Sequence, residues 1–419
     1  MVFYQGIDIV QPFDVAIIGA GAAGCFAAIL LGELNPSLRI AIVEKTRQPL
    51  SKVRISGGGR CNVTHHCFEV ERLISCYPRG RDFLRGGFHR FQPRDMMAWL
   101  QEHGVELKTE EDGRCFPSSN RSQTVIDCFM SLIDRLFISL KLGQEVCSLE
   151  KKEGLFYLEI RDQETIVSKR VLVATGGMQR SYGLLERLGH TMRSPIPSLF
   201  TFELEEEWIK SLAGSTAPSA RVALIGTDFS FTGPLLVTHW GVSGPAVLKL
   251  SAFAARWLFT HHYQARLQIN WTGLSKDLVE KKLGEAKKQL AGKKVEVAPL
   301  FSLSKRCWKE LIIQASPSLE HKVWGHVTKQ EMVAMQAIFT DTQLTVLGKS
   351  LNKEEFVTCG GVALEEIHPK TMESKKVPGL YMAGEVIDVD GITGGFNFQN
   401  AWTGAFLAAQ AIDQSLKCG

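Results

Sequence analysis

Apolar and polar positions along this chain follow two different periods, and the switches between them predict most of its elements. Residues 14–18 are a short apolar run that stops at Gly19, and residues 25–34 continue as a helix-forming stretch. Residues 39–44 repeat the strand pattern and end in Glu44. A helix is expected from Pro93 to Glu102, where Met96, Met97, Trp99 and Leu100 supply an apolar face, and another over residues 122–140. Residues 110–117 read as a turn-rich hairpin, and residues 144–149 and 155–160 alternate as two short strands. Residues 170–177 run apolar into a glycine turn, as expected of a strand in the centre of a sheet covered on both faces.

The character changes at Pro195 and Pro197, which mark a boundary. Beyond it, residues 200–204, 220–225 and 235–239 alternate β-branched and aromatic residues, which predicts a mostly antiparallel domain to about Trp271. Residues 240–245 form a turn into a helix-like stretch, 246–258. From 275 to 339 the chain turns helical and lysine-rich, with helices expected over 277–290, 304–314 and 329–339. Residues 343–347 and 355–358 return to strand, and 379–384 form a short apolar strand that ends in glycine. A loop over 388–400 then leads to a terminal helix, 401–416. That helix is small and apolar nearly all round yet too short to span a bilayer, so a buried position is expected.

Nucleotide chemistry enters at the first switch. Gly19, Gly21 and Gly24 have the G-x-G-x-x-G spacing, with a strand before and a helix after. Gly19 permits the turn, Gly21 lets backbone approach a pyrophosphate, and Gly24 lets the helix pack on the strand, so that free N–H groups face the phosphates. Glu44, twenty positions beyond Gly24, is the acid that accepts hydrogen bonds from a ribose 2′-OH. A second glycine loop, Ser56 to Asn62, contains three consecutive glycines and cannot be a regular helix or strand interior. Glu385 and the glycines at 394 and 395 lie more than three hundred residues further on. A ligand gripped from both ends of the chain is expected, and FAD has the length for it. The N-terminal end of the last helix would stabilise the anionic edge of its flavin.

Composition narrows the class without changing that picture. The 419 residues suggest two or three domains, and 45% apolar with 22% charged residues is that of a globular protein with ample core. A net charge of +4 does not by itself argue for nucleic acid. The ten cysteines include no C-x-x-C, so neither a redox dithiol nor a zinc knuckle is suggested, and free thiols in a reducing compartment are expected. With no signal-peptide pattern and no apolar run of membrane-spanning length, the expected location is the cytoplasm, without a membrane partner.

Taken together, Gly19 to Gly24 with Glu44, Lys52, Ser56 to Asn62, Glu111 to Pro117, Ala174 to Gly177, Thr238 to Pro245 and Gly384 to Gly391 closely resemble the BaiN/YhiN-like flavoproteins. These are known variously as NAD(P)/FAD-dependent oxidoreductases and aminoacetone-oxidase-family enzymes, and they are remote relatives of glutathione reductase and fumarate reductase. The resemblance covers nearly the whole chain. It implies an α/β fold: a discontinuous Rossmann-like FAD-binding domain (1–194 and 348–419), an inserted β-barrel-like domain (195–272 and 340–347) and, within that, a helical insertion (273–339). By position it implies Gly19, Ala20, Gly21, Ala23 and Gly24 at the pyrophosphate, and Glu44 and Lys45 at the adenosine ribose. Arg54 and the loop Gly57, Gly58, Gly59, Arg60, Cys61 and Asn62 would lie along the phosphates and flavin. Val146, Thr175 and Gly176 are implied on the adenine side, Gly384, Glu385 and Asp388 near the ribityl chain, and Gly395, Phe396 and Asn397 at the flavin ring.

The resemblance also implies an oxidoreductase acting on a small organic substrate, its flavin reduced by NADH or NADPH as a transient co-substrate. No second dinucleotide motif is visible, so a nicotinamide would bind over the flavin ring. Candidates for chemistry are Cys61, Arg60 and His239. Each has a plainer reading: a packed thiol, a structural cation, and a hydrogen-bonded histidine at a strand end. His65, His66 and His89 have no partner pattern, and no metal site is read. The alternative function is an RNA-associated or RNA-modifying flavoprotein that uses the basic helical insertion, including Lys287, Lys288, Lys293 and Lys294. The plainer reading of that insertion is a solvated charged surface.

Overall fold

A computed structural model describes residues 11–177, 179–350 and 357–418. The chain divides into two compact units, 1–195 with 358–419, and 196–357.

In the first unit, strand β1 (Phe13–Ile18) runs into helix α1 (Ala22–Leu34), and strand β2 (Ile40–Glu44) lies parallel beside β1. Val15, Ala16 and Ile17 are fully buried because both faces of this strand are covered, which is why the run is continuously apolar. The sheet extends from β2 to a strand at Ser139–Leu142, and from β1 to the strand Ile166–Val173, all parallel. The antiparallel hairpin Val146–Lys152 and Leu155–Ile160 completes one edge. The late strand Leu380–Met382 pairs in parallel with Val171–Val173, so chain from beyond the second unit returns to this sheet. The final helix, Phe396–Lys417, packs along α1, with the rings of Phe26 and Trp402 edge to face at 5.5 Å.

The second unit holds a closed six-stranded antiparallel barrel: Phe202–Leu204, Gly241–Ser243, Ser230–Val237, Thr216–Leu224, Ala265–Asn270 and Thr342–Lys349. Phe202, Val222, Leu235, Leu267 and Val346 face its core. Helices Lys276–Gln289, Lys305–Ala315 and Lys329–Thr340 connect the last two strands, and their apolar faces share that core. Ser275, Ser304 and Thr328 cap them with their side-chain oxygens, and Thr328 with Glu331 forms a capping box. Trp308 stacks on Phe339 at 4.9 Å and donates its indole N–H to the Val295 carbonyl.

Several boundaries differ from those expected. The helix at Ser122 ends at Arg135, and residues 139–142 join the parallel sheet beside β2, where Leu140 pairs with Ile42. The last helix starts at Phe396, five residues early, so Phe396 and Asn397 stand in its first turn. The barrel strand runs to Lys349, past the expected 347, because Lys349 pairs with Phe202. Residues 351–356, where part of a strand was expected, lie outside the described residues, as do residues 1–10.

Candidate functional site

The turn between β1 and α1 is shaped by three glycines with different work. Gly19 has φ +108°, donates its N–H to the Val43 carbonyl at 2.8 Å, and would place a Cβ 2.6 Å from the Ala174 oxygen. At Gly24 a Cβ would stand 1.9 Å from the Gly19 oxygen, so helix and strand touch through bare backbone. Above Gly21 a Cβ would meet nothing nearer than the Ala174 oxygen at 4.0 Å. Helix α1 has no side-chain cap, and its first helical bond is from the Cys25 N–H. The N–H groups of Ala22, Ala23 and Gly24 therefore have no helical partner, and the positive end of the helix lies at them.

Glu44 closes β2 with its carboxylate fixed from both sides. Oε2 accepts the Ala20 N–H at 3.0 Å, and Oε1 accepts the Thr46 N–H and hydroxyl, each at 2.8 Å. Beside it opens a cleft lined by Gly19, Glu44, Lys45, Val146, Thr175 and Leu184. The Thr175 hydroxyl at its wall is buried without a hydrogen-bond partner among the described residues. Across the turn, Gly384 (φ +83°) lies against Ala23 and Ala401, and Gly176 (φ +68°) lies near the Glu385 carboxylate.

The second glycine loop is part helix and part left-handed chain. Helix α2 (Ser51–Gly59) is broken inside its span: Ser56 is extended, and Gly57, Gly58 and Gly59 have φ of +58°, +69° and +83°. A turn of helix thus leads into the expected loop, which is itself non-helical from Ser56. A Cβ on Gly57 would reach 2.9 Å from the Phe116 ring, whereas Gly58 and Gly59 have nothing within 4 Å. Arg60 lays its guanidinium 4.0 Å over Phe116 and pairs with Glu110 at 2.7 Å. That geometry supports its plainer role as a structural cation. Arg54 is turned to Gln123, bonding Oε1 at 2.6 Å. Cys61 is 0% exposed, and burial pushes its thiol up to about 12, so no thiolate nucleophile forms there.

Asn62 ties this loop to the far end of the chain. With its amide oriented to satisfy both neighbours, it donates to the Thr64 carbonyl and accepts the Gly395 N–H, each at 3.0 Å. A Cβ on Gly395 would stand 2.6 Å from the Thr64 oxygen. Around them, Thr64 donates to Gln399 at 2.6 Å, Tyr77 donates its hydroxyl to the Phe396 carbonyl at 2.6 Å, and Asn397 exchanges two bonds with Gly391. Asp388 is buried nearby, and Asp390 is fully buried as an ion pair with Arg79. The start of the last helix is thereby fixed against the residues that follow α2.

The first unit brings together the glycines of the β1–α1 turn, Glu44, Lys45, Val146, Thr175, Gly176, Gly384 and Glu385 on one side, and Gly57 to Asn62 with Gly395, Phe396 and Asn397 on the other. His239 is exposed at a bend in the second unit. Sequence reasoning missed His65, Tyr77 and Gln399, whose partners lie over three hundred residues away. It also gave Lys52 no role, although Lys52 pairs with Glu385. A polar residue next to a glycine loop was the one signal available for them.

The arrangement suits FAD. Uncapped helical N–H groups with room above Gly21 suit a diphosphate, the fixed acid and cleft suit an adenosine, and the Gly394-Gly395 turn at a long helix suits the flavin edge. The family described as HI0933-like protein Rossmann domain matches residues 13–411. A ribosomal RNA dihydrouridine synthase of Escherichia coli is 30% identical over 413 residues, covering 96% of this chain and 98% of that protein. A 3-dehydro-bile acid delta(4,6)-reductase of Clostridium scindens is 26% identical, covering 95% and 98%. The fold is shared with the solved 3-ketosteroid delta1-dehydrogenase of Sterolibacterium denitrificans, with a TM-score of 0.53, 12% identity, and 97% of this chain and 100% of that one covered. No helix among the described residues is long and apolar enough to cross a membrane. This chain belongs to the HI0933-like Rossmann family, a family of FAD-dependent oxidoreductases.

Proposed function

We propose that this protein is a cytoplasmic FAD-dependent reductase that saturates a carbon–carbon double bond conjugated to a carbonyl, and that its substrate is a uracil base within RNA. The observation that carries the proposal is the end-to-end relative named as a ribosomal RNA dihydrouridine synthase. Dihydrouridine is uridine saturated at C5 and C6, a double bond conjugated to the C4 carbonyl. The double bonds in a 3-dehydro-delta(4,6) bile acid are conjugated to a ketone in the same way, so the two relatives share a reaction type. In balance, uracil, NAD(P)H and one proton give dihydrouracil and NAD(P)⁺.

When bound, FAD supplies the hydride chemistry between nicotinamide and substrate. This chain's residues supply position and field. The N–H groups of Ala22 to Gly24 would hold the diphosphate, and Glu44, itself held by Ala20 and Thr46, would orient the ribose. The first turn of helix Phe396–Lys417 would face negative charge with its N–H groups, and the bonds from Asn62, Tyr77 and Asn397 keep that turn from shifting.

The second unit supports an RNA substrate. Lys281, Lys282 and Lys288 are exposed along helix Lys276–Gln289, and Lys293 and Lys294 in the turn after it, with no ion pair among the described residues. Lys287 differs, since its ammonium donates to the Val327 carbonyl at 2.5 Å. Five cations on one short stretch suit phosphates. The test is to incubate purified holoprotein and NADH or NADPH with unmodified ribosomal RNA and to assay dihydrouridine by mass spectrometry. Formation that falls steeply with salt and on changing the five lysines to glutamate is expected. No dihydrouridine with either nucleotide would overturn the RNA reading.

A second reading, a reductase of free small-molecule enones driven by NAD(P)H, is favoured by the bile acid relative. It predicts nucleotide oxidation on adding a conjugated ketone, unchanged by the lysine reversals.

A further inference from the structure

Lys52 and Glu385 meet at 2.6 Å although 333 positions separate them. Their segments are anchored on opposite sides of the uncapped end of α1. On one side, the Leu50 N–H bonds the Ala20 carbonyl at 2.8 Å, which pins the start of α2 to the glycine turn. On the other, Gly384 sits against Ala23, with 3.5 Å between the Ala23 Cβ and an ideal Cβ at Gly384. The ion pair thus joins the two sides beside the free N–H groups of Ala22, Ala23 and Gly24.

The partners are unequal. The Lys52 side chain is 60% exposed and Glu385 only 13%, so the lysine is free to swing and the carboxylate is not. Oε2 of Glu385 lies 3.5 Å from an ideal Cβ at Gly177 and 3.9 Å from one at Gly176, which holds it against the glycine turn after Val173. A diphosphate seated on α1 would bring negative charge close to a fixed carboxylate. Nearby positive charge must offset that repulsion, and Lys52 is the cation bonded there.

We infer that Lys52 is a diphosphate-binding residue of the FAD site, held by Glu385 in the cofactor-free protein and transferred to the diphosphate as FAD binds. The inference rests on the FAD site described above, and binding of FAD by the wild-type apoprotein tests that site separately.

The experiment uses full-length apoprotein and follows displacement of FAD, by flavin fluorescence, with ADP and with adenosine as competitors. ADP carries the diphosphate and adenosine lacks it. Lys52→Met is expected to weaken ADP and FAD by about 10- to 100-fold, the usual worth of a hydrogen bond to a charged group, and to leave adenosine unchanged. Lys52→Arg should recover most of the loss, and the salt dependence of ADP binding should flatten in Lys52→Met. The double variant Lys52→Met with Glu385→Gln decides between transfer and mere neutralisation: continued weak ADP binding supports transfer. Recovery of wild-type ADP affinity in the double variant would overturn it, as would equal losses for ADP and adenosine. Lys52→Gln serves as the second neutral variant should Lys52→Met fold poorly.

Discussion

The imidazole of His65 stacks on the ring of Phe396, centroids 4.7 Å apart and planes 29° from parallel, while its Nδ1 lies 3.1 Å from the Gly394 carbonyl. One histidine therefore clamps both the glycine turn and the first residue of the last helix. Burial lowers its pKa, outweighing the upward pull of the Gly394 carbonyl and Asp112, and Arg72 and His66 add to the lowering.

Because burial depresses the folded pKa, the stability that rests on a neutral His65 is complete above the ordinary histidine value of 6.5 and is lost as the pH falls below it. Wild-type protein should therefore release FAD increasingly on mild acidification, read as a rise in free flavin fluorescence. His65→Phe keeps the stack and removes the titrating imidazole together with its bond to the Gly394 carbonyl. It should bind FAD about three- to tenfold more weakly at neutral pH, the worth of one neutral hydrogen bond, and lose most of that pH dependence.

Gly24→Ala should be far more damaging than its size suggests. The added methyl would stand 1.9 Å from the Gly19 oxygen, a backbone atom that cannot rotate away. The protein should purify colourless, and its melting temperature should fall by the equivalent of about 1–3 kcal/mol or more. Gly58→Ala, with open space around it but φ of +69°, should cost the fold only the left-handed strain of about 1–2 kcal/mol.

Cys61→Ala should change turnover by less than about fivefold, roughly 1 kcal/mol, because the buried thiol does not ionise near neutral pH. Iodoacetamide at neutral pH should leave Cys61 unlabelled in a peptide map of the holoprotein. Labelling of Cys61 with loss of turnover would restore it as a candidate nucleophile.

His190 links Glu366 (Nδ1 to Oε2, 3.1 Å) and Ser374 (Nε2 to Oγ, 3.0 Å), the order of a hydrolytic triad. Ser374, however, is 3% exposed, and its oxygen accepts the N–H groups of Lys376 and Val377, so the group is structural. Burial would raise the Glu366 pKa, but bonds from Lys376, Thr191 and His190 hold it at about 2, and burial lowers that of His190. Both groups thus stabilise the fold above 6.5 and lose that contribution as the pH falls through 6.5 and then through 4.5 toward 2. Thermal melts should show His190→Gln about 1–3 kcal/mol less stable at neutral pH, with a shallower loss on acidification than wild type.

What the sequence made legible was local. Gly19, Gly21 and Gly24 carry their turn within a dozen residues, and Glu44 follows at a fixed distance, so that half of the site could be read directly. The other half depends on pairings such as Asn62 with Gly395 and Thr64 with Gln399, which no periodicity encodes. Phe396 and Asn397 read as loop because neither favours a helix, yet Gly395 (φ +93°) and the bond from Tyr77 start the helix there. Residues 139 and 140 read as the end of a helix because Leu140 continues the apolar spacing, and only pairing with β2 makes them part of a strand.

The late return of residues 380–382 to the edge at Val171–Val173, and of the last helix to α1, bears on how the chain is made. While a ribosome adds residues 196–357, on the order of ten seconds or more of synthesis, that sheet edge and the apolar face of α1 wait uncovered. The contiguous second unit can mature first, and Glu385 and Gly395 emerge only after it. The nascent chain thus cannot complete its grip on FAD until this closing segment appears, which makes the first unit the part most exposed to chaperones and to misassembly during translation.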